Sequence, residues 1–325
     1  MPSTPELHAA IVATGSYLPK HVVTNDDLAQ KIDTSDEWIR SRTGIESRHL
    51  AAATESTTYM STKAAERALE QAGLQPEDID LIIVATVSAD YAFPSVACFV
   101  QDNLGMTNAA AAFDLQAACS GFIYGLNLVD AQMRTGQIKR AIVIGAEKFS
   151  TYLNYEDRST CVLFGDGAGA VVLEATEDAG RGLISSKISA NGTLQHLLRG
   201  TGGLASTGTP GGVEMQGREV FRHAVREMVG AVTPLLEKNK LSVDDIDWFV
   251  PHQANMRIIE AATKQMNFPL EKTILTVHKH ANTSAASIPL ALDDANRKGT
   301  FKQGDLLALS AFGAGFTWAG ALLRW

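Results

Sequence analysis

The sequence predicts an α/β protein made of two halves of similar design, and two observations support this prediction. Short β-branched segments such as LIIVATVS (81–88) and AIVIGA (141–146) alternate with helical segments such as STKAAERALEQAG (61–73). This alternation is typical of strands joined by crossover helices. In addition, three segments of the first half recur in the same order in the second half.

The three recurring segments indicate an internal duplication. The pairs are residues 69–84 with 236–250, 133–147 with 296–312, and 164–175 with 312–325. The first pair is offset by 167 positions (69 to 236), and the arginines of the second pair are offset by 163 (134 to 297). A common order at nearly constant offset predicts two domains, residues 1–177 and 178–325.

The composition of the chain argues against several classes of protein. The chain has 325 residues, 45% of them hydrophobic and 20% charged, which is enough for a large core. A net charge of −8 argues against nucleic-acid binding. No basic stretch followed by an apolar one opens the chain, and no apolar run approaches the roughly 18 residues of a membrane span. Three cysteines without a C-x-x-C pair predict neither disulfides nor a zinc site. We therefore expect a cytoplasmic protein that binds no membrane.

Cys119 is the first candidate for chemistry. It lies in FDLQAACSG (113–121), between an apolar run and GFIYGLNLVDAQM (121–133), which is apolar almost all round and predicts a buried helix. Two interpretations stay open at this point. Most free cysteines are small buried hydrophobic residues. A cysteine at a helix start can instead be a nucleophile, because the helix dipole lowers the thiol pKa.

Two further residues complete a possible Cys/His/Asn set. His252 follows a predicted strand in FVPHQAN (249–255), and Asn282 lies in KHANTS (279–284). Each alone is more often a structural group or a helix cap. At the offset of 163, however, Asn282 corresponds to Cys119, so an approximate two-fold axis between the halves would bring both residues together near the centre.

Other motifs predict structure rather than chemistry. The glycines of FGDGAGA (164–170) have neither the spacing of a phosphate loop nor that of a dinucleotide fingerprint, so we expect a tight turn with close packing. His278 and His280 would point to opposite faces of a predicted strand, which argues against a metal site. Cys98 and Cys161 lie in apolar segments and are expected to be buried.

The chain resembles the 3-oxoacyl-[acyl-carrier-protein] synthase III family. These are the initiating condensing enzymes of type II fatty-acid synthesis, within the thiolase superfamily. The resemblance extends nearly from end to end and implies a thiolase-like fold, with two α/β halves stacked in five layers, α-β-α-β-α. It is carried by TGSYLP (14–19), DTSDEWIRSRTGI (33–45), AFPSVAC (92–98), AACSGF (117–122), FGDGAGAVVLEA (164–175), VPHQANMRII (250–259), HANTSAASIPLAL (280–292) and AFGAGFTWAGALLRW (311–325).

The resemblance implies a decarboxylative condensation. Cys119 would carry the acyl group of a short acyl-coenzyme A, most simply acetyl, and His252 and Asn282 would complete the triad. Malonyl-acyl carrier protein would then give 3-oxoacyl-acyl carrier protein, coenzyme A and carbon dioxide. The backbone amides of Cys119 and Ala314 would form the oxyanion hole, although the family usually has glycine at position 314. No metal or redox cofactor is implied.

Binding residues are also carried over from the family. Phe93 resembles the residue that crosses into the partner's acyl pocket, which implies a homodimer. Gln265 stands where the family often has a second lysine, so one carrier contact could be lost. The residues implied for coenzyme A and pantetheine are Thr34, Trp38, Arg42, Arg158, Phe221 and Asn255. The residues implied for carrier protein are Arg222, Arg257 and Lys264.

Three alternative functions compete with this one. A Cys/His/Asn protease fits poorly, because QAACSG (116–121) lacks the residues expected around such a nucleophile. A non-catalytic carrier-binding protein would not need an intact triad. A synthase III-like condensing enzyme of secondary metabolism, with another acyl primer or acceptor, is the alternative that stays open.

Overall fold

The computed structural model describes residues 6–203, 205–208 and 210–325. Its strands, in chain order, are β1 (His8–Tyr17), β2 (Val22–Thr24), β3 (Ser47–His49), β4 (Leu81–Ala85), β5 (Ala111–Leu115), β6 (Arg140–Glu147), β7 (Gly167–Thr176), β8 (Gly182–Ala190), β9 (Leu198–Gly202), β10 (Pro210–Met215), β11 (Trp248–Pro251), β12 (Leu306–Gly313) and β13 (Thr317–Arg324). Its α-helices are α1 (Asn25–Ala29), α2 (Asp36–Thr43), α3 (Thr57–Ala72), α4 (Val96–Asn103), α5 (Gly121–Arg134), α6 (Gly217–Lys238), α7 (Met256–Met266), α8 (Val277–His280) and α9 (Ser287–Arg297).

The first half forms a five-stranded sheet in the order β1-β7-β6-β4-β5. Strand β4 pairs in parallel with β5 and β6, and β7 pairs antiparallel with β6 and β1. Every residue of β4 is buried. A strand covered on both faces reads as a continuous apolar run, which is why this segment of the sequence is apolar without alternation.

The second half repeats this design. Its sheet has the order β11-β12-β13-β8, with β11 parallel to β12 and the other pairs antiparallel. The three recurring sequence segments fall on the strand pairs β4 and β11, β6 and β12, and β7 and β13. Phe249 of β11 also makes a parallel bridge to Thr273, at the place that β5 has in the first sheet. This correspondence supports the internal duplication.

The helices lie in three layers around the two sheets. Helix α5 contacts β4 and β6 of the first sheet and β8 and β13 of the second, and α9 contacts β1, β7 and β11. These two helices therefore form the middle layer. Helices α3 and α4 cover the outer face of the first sheet, while α6 covers that of the second and packs against α7. The predicted five-layered α-β-α-β-α arrangement is confirmed.

The predicted boundary at 177/178 falls in the connection between β7 and β8. Each of the two main sheets takes its strands from one side of it. The division of the chain into two domains at this position stays a prediction. Within the ranges described above, no helix is long and apolar enough to cross a membrane.

Two turns at the starts of the central helices meet between the sheets. The 3₁₀ turn Ala118–Ser120 leads into α5, the 3₁₀ turn Ser284–Ala286 leads into α9, and the two turns are in contact. Glycines make room for both. A Cβ atom on Gly145 would lie 2.1 Å from the Ala285 carbonyl oxygen, and one on Gly313 would lie 2.7 Å from the Cys119 nitrogen. Each sheet thus packs directly on the backbone of a turn.

Two local expectations were wrong and one needs refinement. His278 and His280 lie in helix α8 and not on a strand, so the argument from opposite strand faces does not apply. Cys98 is only half-buried, because it lies on α4 beside Ser95, whereas Cys161 is buried as expected. The glycines of 164–170 do pack closely, since a Cβ atom on Gly169 would lie 2.6 Å from the Leu290 nitrogen, but Gly167 and Gly169 lie in strand β7 and not in a tight turn.

Replacing Gly145 by alanine is expected to destabilise the fold, because the new methyl group would clash with the Ala285 backbone rather than with a movable side chain. We expect the free energy of unfolding in urea to fall by about 1–3 kcal/mol. Gly230→Ala is the matched control. Gly230 lies inside α6 with nothing within 4 Å of an added Cβ, so this variant should gain up to about 1 kcal/mol. Equal stability of the two variants would contradict this account.

Candidate active site

The structure brings the predicted triad into one cavity of about 1500 Å³. Cys119 lies in the turn before α5, His252 directly follows β11, and Asn282 lies just before the turn that leads into α9. All three residues line the cavity, as does Ala314. The internal duplication explains the meeting of Cys119 and Asn282, because both stand at the starts of the paired central helices. Their catalytic roles stay predictions.

The thiol of Cys119 is not activated in the way that the sequence indicates. The pKa of the Cys119 thiol is raised to about 12, chiefly by burial and to a smaller extent by the nearby Glu147 carboxylate. The Ser284 hydroxyl and the Cys119 backbone N–H lower this pKa, but by less. The expectation of a thiol pKa lowered by the helix start is therefore wrong for this structure. Removal of the thiol from water outweighs the field at the helix start.

His252 is neutral in this site. Its side chain is 2% exposed, and burial lowers the imidazole pKa to about 3. The ring Nδ1 lies 2.6 Å from the Ser287 hydroxyl oxygen, which also accepts a hydrogen bond of 3.3 Å from the Gln253 backbone N–H. We assign the hydroxyl proton to the bond with Nδ1, the arrangement in which the Ser287 oxygen both accepts and donates. The imidazole proton then resides on Nε2, which is free to donate.

Asn282 is held by backbone contacts. Its backbone N–H donates to the Leu163 carbonyl oxygen at 2.9 Å, and its carbonyl accepts from the Gly165 N–H at 3.0 Å. The side-chain Oδ1 accepts from the Ser284 N–H at 2.9 Å. This contact orients the amide, because the oxygen must face the N–H donor. The Nδ2 group is thereby left as a donor at the cavity that Asn282 lines.

The hairpin between β12 and β13 places the second predicted oxyanion amide. Thr317 closes it, with its hydroxyl 2.8 Å from the Ala117 carbonyl oxygen and 3.2 Å from that of Ala314. Alanine at position 314 causes no backbone conflict, because the left-handed φ of this hairpin, +127°, belongs to Gly315. Alanine therefore fits the backbone at this position, where the family usually has glycine.

The predicted coenzyme A residues are only partly gathered at the cavity. Its lining includes Trp38, Arg42, Phe221 and Asn255, but neither Thr34 nor Arg158. The Thr34 hydroxyl is buried without a hydrogen-bond partner in the described structure.

Arg158 lies directly over Trp38. Its guanidinium carbon is 5.2 Å from the indole centroid, and that of Arg42 is 4.9 Å away. Arg158 also donates to the Asp33 carbonyl oxygen at 2.8 Å. The distance between Arg158 and Trp38 leaves no room for a base between them, so the predicted adenine sandwich is not formed in this arrangement. The binding roles stay predictions.

The predicted carrier-protein residues lie at and beyond the cavity mouth. Arg257 lines the cavity, with its guanidinium carbon 5.9 Å from the Phe221 ring centroid. Arg222 and Lys264 are exposed outside the lining, and Arg222 is paired with Glu219. Phe93 is 85% exposed and also lies outside the lining, although its neighbour Ala92 belongs to it.

Three functional candidates were missed by the sequence analysis: Glu147, Ser284 and Ser287. Glu147 ends a strand that reads as apolar, and a single acidic residue there carries no distinguishing pattern. The serines lie in NTSAAS (282–287), which reads as a helix cap. The contact of Ser284 with Glu147 depends on the packing of the two halves, and that of Ser287 with His252 joins two elements far apart in the sequence.

Comparison with known proteins agrees with this geometry. The model of the 3-oxoacyl-[acyl-carrier-protein] synthase III family matches residues 113–192, and the model of its C-terminal part matches residues 236–325. A curated β-ketoacyl-[acyl-carrier-protein] synthase III of Cereibacter sphaeroides is 52% identical over 323 residues, covering 98% of this chain and 99% of the relative. The chain belongs to the 3-oxoacyl-[acyl-carrier-protein] synthase III family. The predicted family and the predicted enzyme class, an acyltransferase that acts as a condensing enzyme, are thereby confirmed.

Solved structures of synthase III relatives share the fold. The crystal structure of 3-oxoacyl-[acyl-carrier-protein] synthase III from Aquifex aeolicus has a TM-score of 0.93 and 47% identity, covering 98% of this chain and 100% of that one. The priming β-ketosynthase of the R1128 polyketide pathway has a TM-score of 0.92 with 35% identity, covering 99% and 97%. The fold is therefore common to both, and sequence identity is higher to the Aquifex aeolicus synthase III than to the R1128 enzyme.

Ser287 should control the His252 tautomer. In Ser287→Ala the Nδ1 atom loses its donor, so the proton can move to Nδ1 and Nε2 no longer donates. We expect condensation to slow by about 10-fold or more, by comparison with the loss of outer hydrogen bonds to other functional histidines. Ser287→Thr keeps a hydroxyl and should retain most of the rate.

The measurement that separates this role from a structural one is ¹⁵N NMR of the labelled histidine. In the wild type, His252 should show an Nε2–H signature and no titration between pH 5 and 8, because its pKa is lowered to about 3. An Nδ1–H signature in the wild type, or an unchanged signature in Ser287→Ala, would contradict the assignment.

Proposed function

We propose that this chain condenses a short acyl-coenzyme A, most simply acetyl-coenzyme A, with malonyl-acyl carrier protein at the start of fatty-acid synthesis. The products are 3-oxoacyl-acyl carrier protein, coenzyme A and carbon dioxide. The meeting of Cys119, His252 and Asn282 in one cavity carries this proposal. The alternative in secondary metabolism is not favoured, because identity is 52% to a curated synthase III and 35% to the R1128 priming enzyme.

The first half-reaction loads the enzyme. The Cys119 sulfur attacks the thioester carbonyl of acyl-coenzyme A, and the sulfur of coenzyme A leaves. One thioester replaces another, and the acyl group remains on Cys119. During the attack, negative charge develops on the carbonyl oxygen. The backbone amides of Cys119 and Ala314 are the donors that we assign to it, and removal of one such donor typically costs on the order of 10² to 10³ in rate.

The second half-reaction forms the carbon–carbon bond. The malonyl group loses carbon dioxide, and negative charge builds up on its thioester oxygen. Stabilisation of this enolate requires donors that do not protonate its carbon. Neutral His252, with its proton on Nε2, and the Nδ2 group of Asn282 meet this requirement. The enolate carbon then attacks the acyl-cysteine, and the Cys119 sulfur leaves.

These half-reactions support two further proposals, one about cofactors and one about binding partners. Thioester exchange and loss of carbon dioxide balance without electron transfer, so we propose that no metal or redox cofactor takes part. The partners are acyl-coenzyme A and malonyl-acyl carrier protein. The net charge of −8 disfavours nucleic acid as a partner. Because both substrates belong to biosynthetic metabolism, we propose that the chain acts in the cytoplasm.

We also propose a homodimer. Strand β5 is an edge of the first sheet, and Phe113 on it is 37% exposed. Tyr91 and Phe93 are 62% and 85% exposed, and Ala92 between them lines the cavity. An unpaired strand edge beside exposed aromatic rings favours a second copy of the chain as the occupant. A single monomeric species in sedimentation equilibrium would contradict this proposal.

Intact mass after incubation with a panel of acyl-coenzyme A esters tests the nucleophile. The wild type should acquire one acyl group, and its mass identifies the preferred primer. Cys119→Ala should acquire none. His252→Ala and Asn282→Ala should still be acylated, while condensation falls by about 10² to 10³, since both donate to the enolate. An adduct that persists in Cys119→Ala would refute the assignment.

Reversal of the charge at Arg257 should weaken the binding of malonyl-acyl carrier protein more than the binding of acyl-coenzyme A. Carrier proteins of this kind are acidic, so Arg257→Glu would place like charges together at the cavity mouth. We expect the KM for malonyl-acyl carrier protein to rise much more than the KM for acyl-coenzyme A. Lys238→Glu is the control, because this exposed lysine lies 16 residues beyond Arg222 on α6, about 24 Å along the helix. Equal changes in both KM values would remove the proposed carrier surface.

A further inference from the structure

The carboxylate of Glu147 takes no part in either half-reaction, although it is near enough to the nucleophile to raise the pKa of the thiol. Glu147 ends β6 and is 0% exposed. Its Oε2 accepts from the Ser88 hydroxyl at 2.6 Å and from the Val87 N–H at 3.2 Å, and its Oε1 accepts from the Ser284 hydroxyl at 3.1 Å. The ion pairs found among the described residues include no partner for it. A buried carboxylate held only by hydroxyl and N–H donors is able to accept a proton.

Ser284 connects this carboxylate with the nucleophile. Its hydroxyl donates to Glu147 Oε1 at 3.1 Å, and the turn that begins at Ser284 contacts the turn that holds Cys119. Ser284 also lines the cavity, and its backbone has a left-handed φ of 49°. A hydroxyl between a thiol and a carboxylate can accept a proton from one while donating its own to the other. Ser284 therefore joins the carboxylate to the cavity that holds the Cys119 sulfur.

The triad has no free base for the thiol proton. Asn282 carries a neutral amide. In the tautomer assigned above, the lone pair of His252 is on Nδ1, where it accepts from Ser287, and Nε2 holds the proton. Loss of the thiol proton to solvent would leave two negative charges, on Cys119 and Glu147, in one buried region. Two like charges removed from water strongly disfavour each other.

We propose that Glu147, acting through Ser284, takes the thiol proton during acylation and returns it to the departing coenzyme A. As the sulfur attacks, the S–H proton moves to the Ser284 oxygen and the Ser284 O–H proton moves to Glu147 Oε1. When the carbon–sulfur bond to coenzyme A breaks, the same transfers run in reverse toward the leaving sulfur. The sum is Cys119–SH plus acyl–S–CoA giving Cys119–S–acyl plus HS–CoA. Net charge is unchanged throughout.

The environment of Glu147 suits this exchange. Burial raises the pKa of the carboxyl to about 7, against the lowering effect of its hydrogen bonds. A group that titrates near neutrality can both accept and return a proton. Of the other titratable groups nearby, Tyr152 donates its hydroxyl to the Val87 carbonyl oxygen at 2.9 Å, and Lys148 donates its amine to the Ala52 carbonyl oxygen at 2.7 Å. Both are thereby occupied outside the path.

The test rests on the proposed function, and it compares two reactions of the same sulfur in Glu147→Gln. Acylation by acetyl-coenzyme A needs a proton on the leaving sulfur, whereas alkylation by iodoacetamide releases iodide and needs none. We expect acylation to fall by about 10-fold or more, within the usual range for loss of a general acid–base group. Alkylation of Cys119, located by peptide mass, should be no slower than in the wild type, because a negative charge next to the thiol is gone.

Two further variants and one further substrate sharpen the comparison. Ser284→Ala should reproduce the acylation defect, because it interrupts the path and keeps the carboxylate. Tyr152→Phe removes a hydroxyl beside Val87 outside the path and should leave both reactions unchanged. The phenyl thioester of acetate has a leaving thiol that departs without a proton, and with it the difference between Glu147→Gln and the wild type should disappear.

The pH dependence gives an independent reading. Wild-type acylation should rise with pH through about 7, as Glu147 ionises and becomes able to accept, and then level off. Glu147→Gln should lack this plateau and should continue to rise with pH. Persistence of the plateau in the variant would overturn the proposal.

The outcomes separate this proposal from the proposed function. Failure of the wild type to form an acyl-cysteine would refute the proposed function itself. Normal acylation by Glu147→Gln would leave the proposed function intact and overturn the proton path. A parallel fall of acylation and alkylation would assign Glu147 a purely structural role, and this result also overturns the proposal.

Discussion

The close approach of two helix starts is the constraint on which the rest of the structure depends. The turns before α5 and α9 touch because each sheet presents a glycine to the opposite turn, Gly145 to Ala285 and Gly313 to Cys119. Side chains at either glycine would force the halves apart. This backbone contact places Cys119, Asn282 and Ser284 at one cavity, with the Ser284 hydroxyl bonded to Glu147. The position of each reacting group is thus set by main-chain packing, which varies little in a close-packed interior.

Burial then decides the protonation state of every group at the centre. The same removal from water raises the pKa of the Cys119 thiol to about 12, lowers that of His252 to about 3 and raises that of Glu147 to about 7. A neutral imidazole is the form that donates to an enolate without a competing positive charge. The consequence is a thiol that keeps its proton at rest. The nucleophile must lose this proton to react. In the proposed proton transfer, Glu147 accepts it during the reaction through the Ser284 hydroxyl.

The exterior of the site differs from its interior. Around the mouth, Arg42, Arg158 and Arg257 are exposed on a protein whose net charge is −8. These side chains lie against aromatic rings, with Arg42 and Arg158 on Trp38 and Arg257 on Phe221. Flat, cationic and apolar surfaces are thereby combined where a nucleotide and an acidic carrier would arrive. Inside the cavity, in contrast, the hydrogen-bond donors His252 and Asn282 are neutral, and an acidic group, Glu147, lies near them.

Much of this protein could be determined from its sequence, because duplication and continuous apolar strands leave patterns along the chain. The two halves, the buried α5 helix and the set of Cys119, His252 and Asn282 were all available in this way. The prediction of a lowered thiol pKa was wrong, because the sequence shows that Cys119 stands at a helix start but does not show how far the thiol is buried. Ser287 and Glu147 were invisible for a related reason. Their contacts join residues more than 30 positions apart, and only the packing of one half on the other decides which hydroxyl meets which ring or carboxylate.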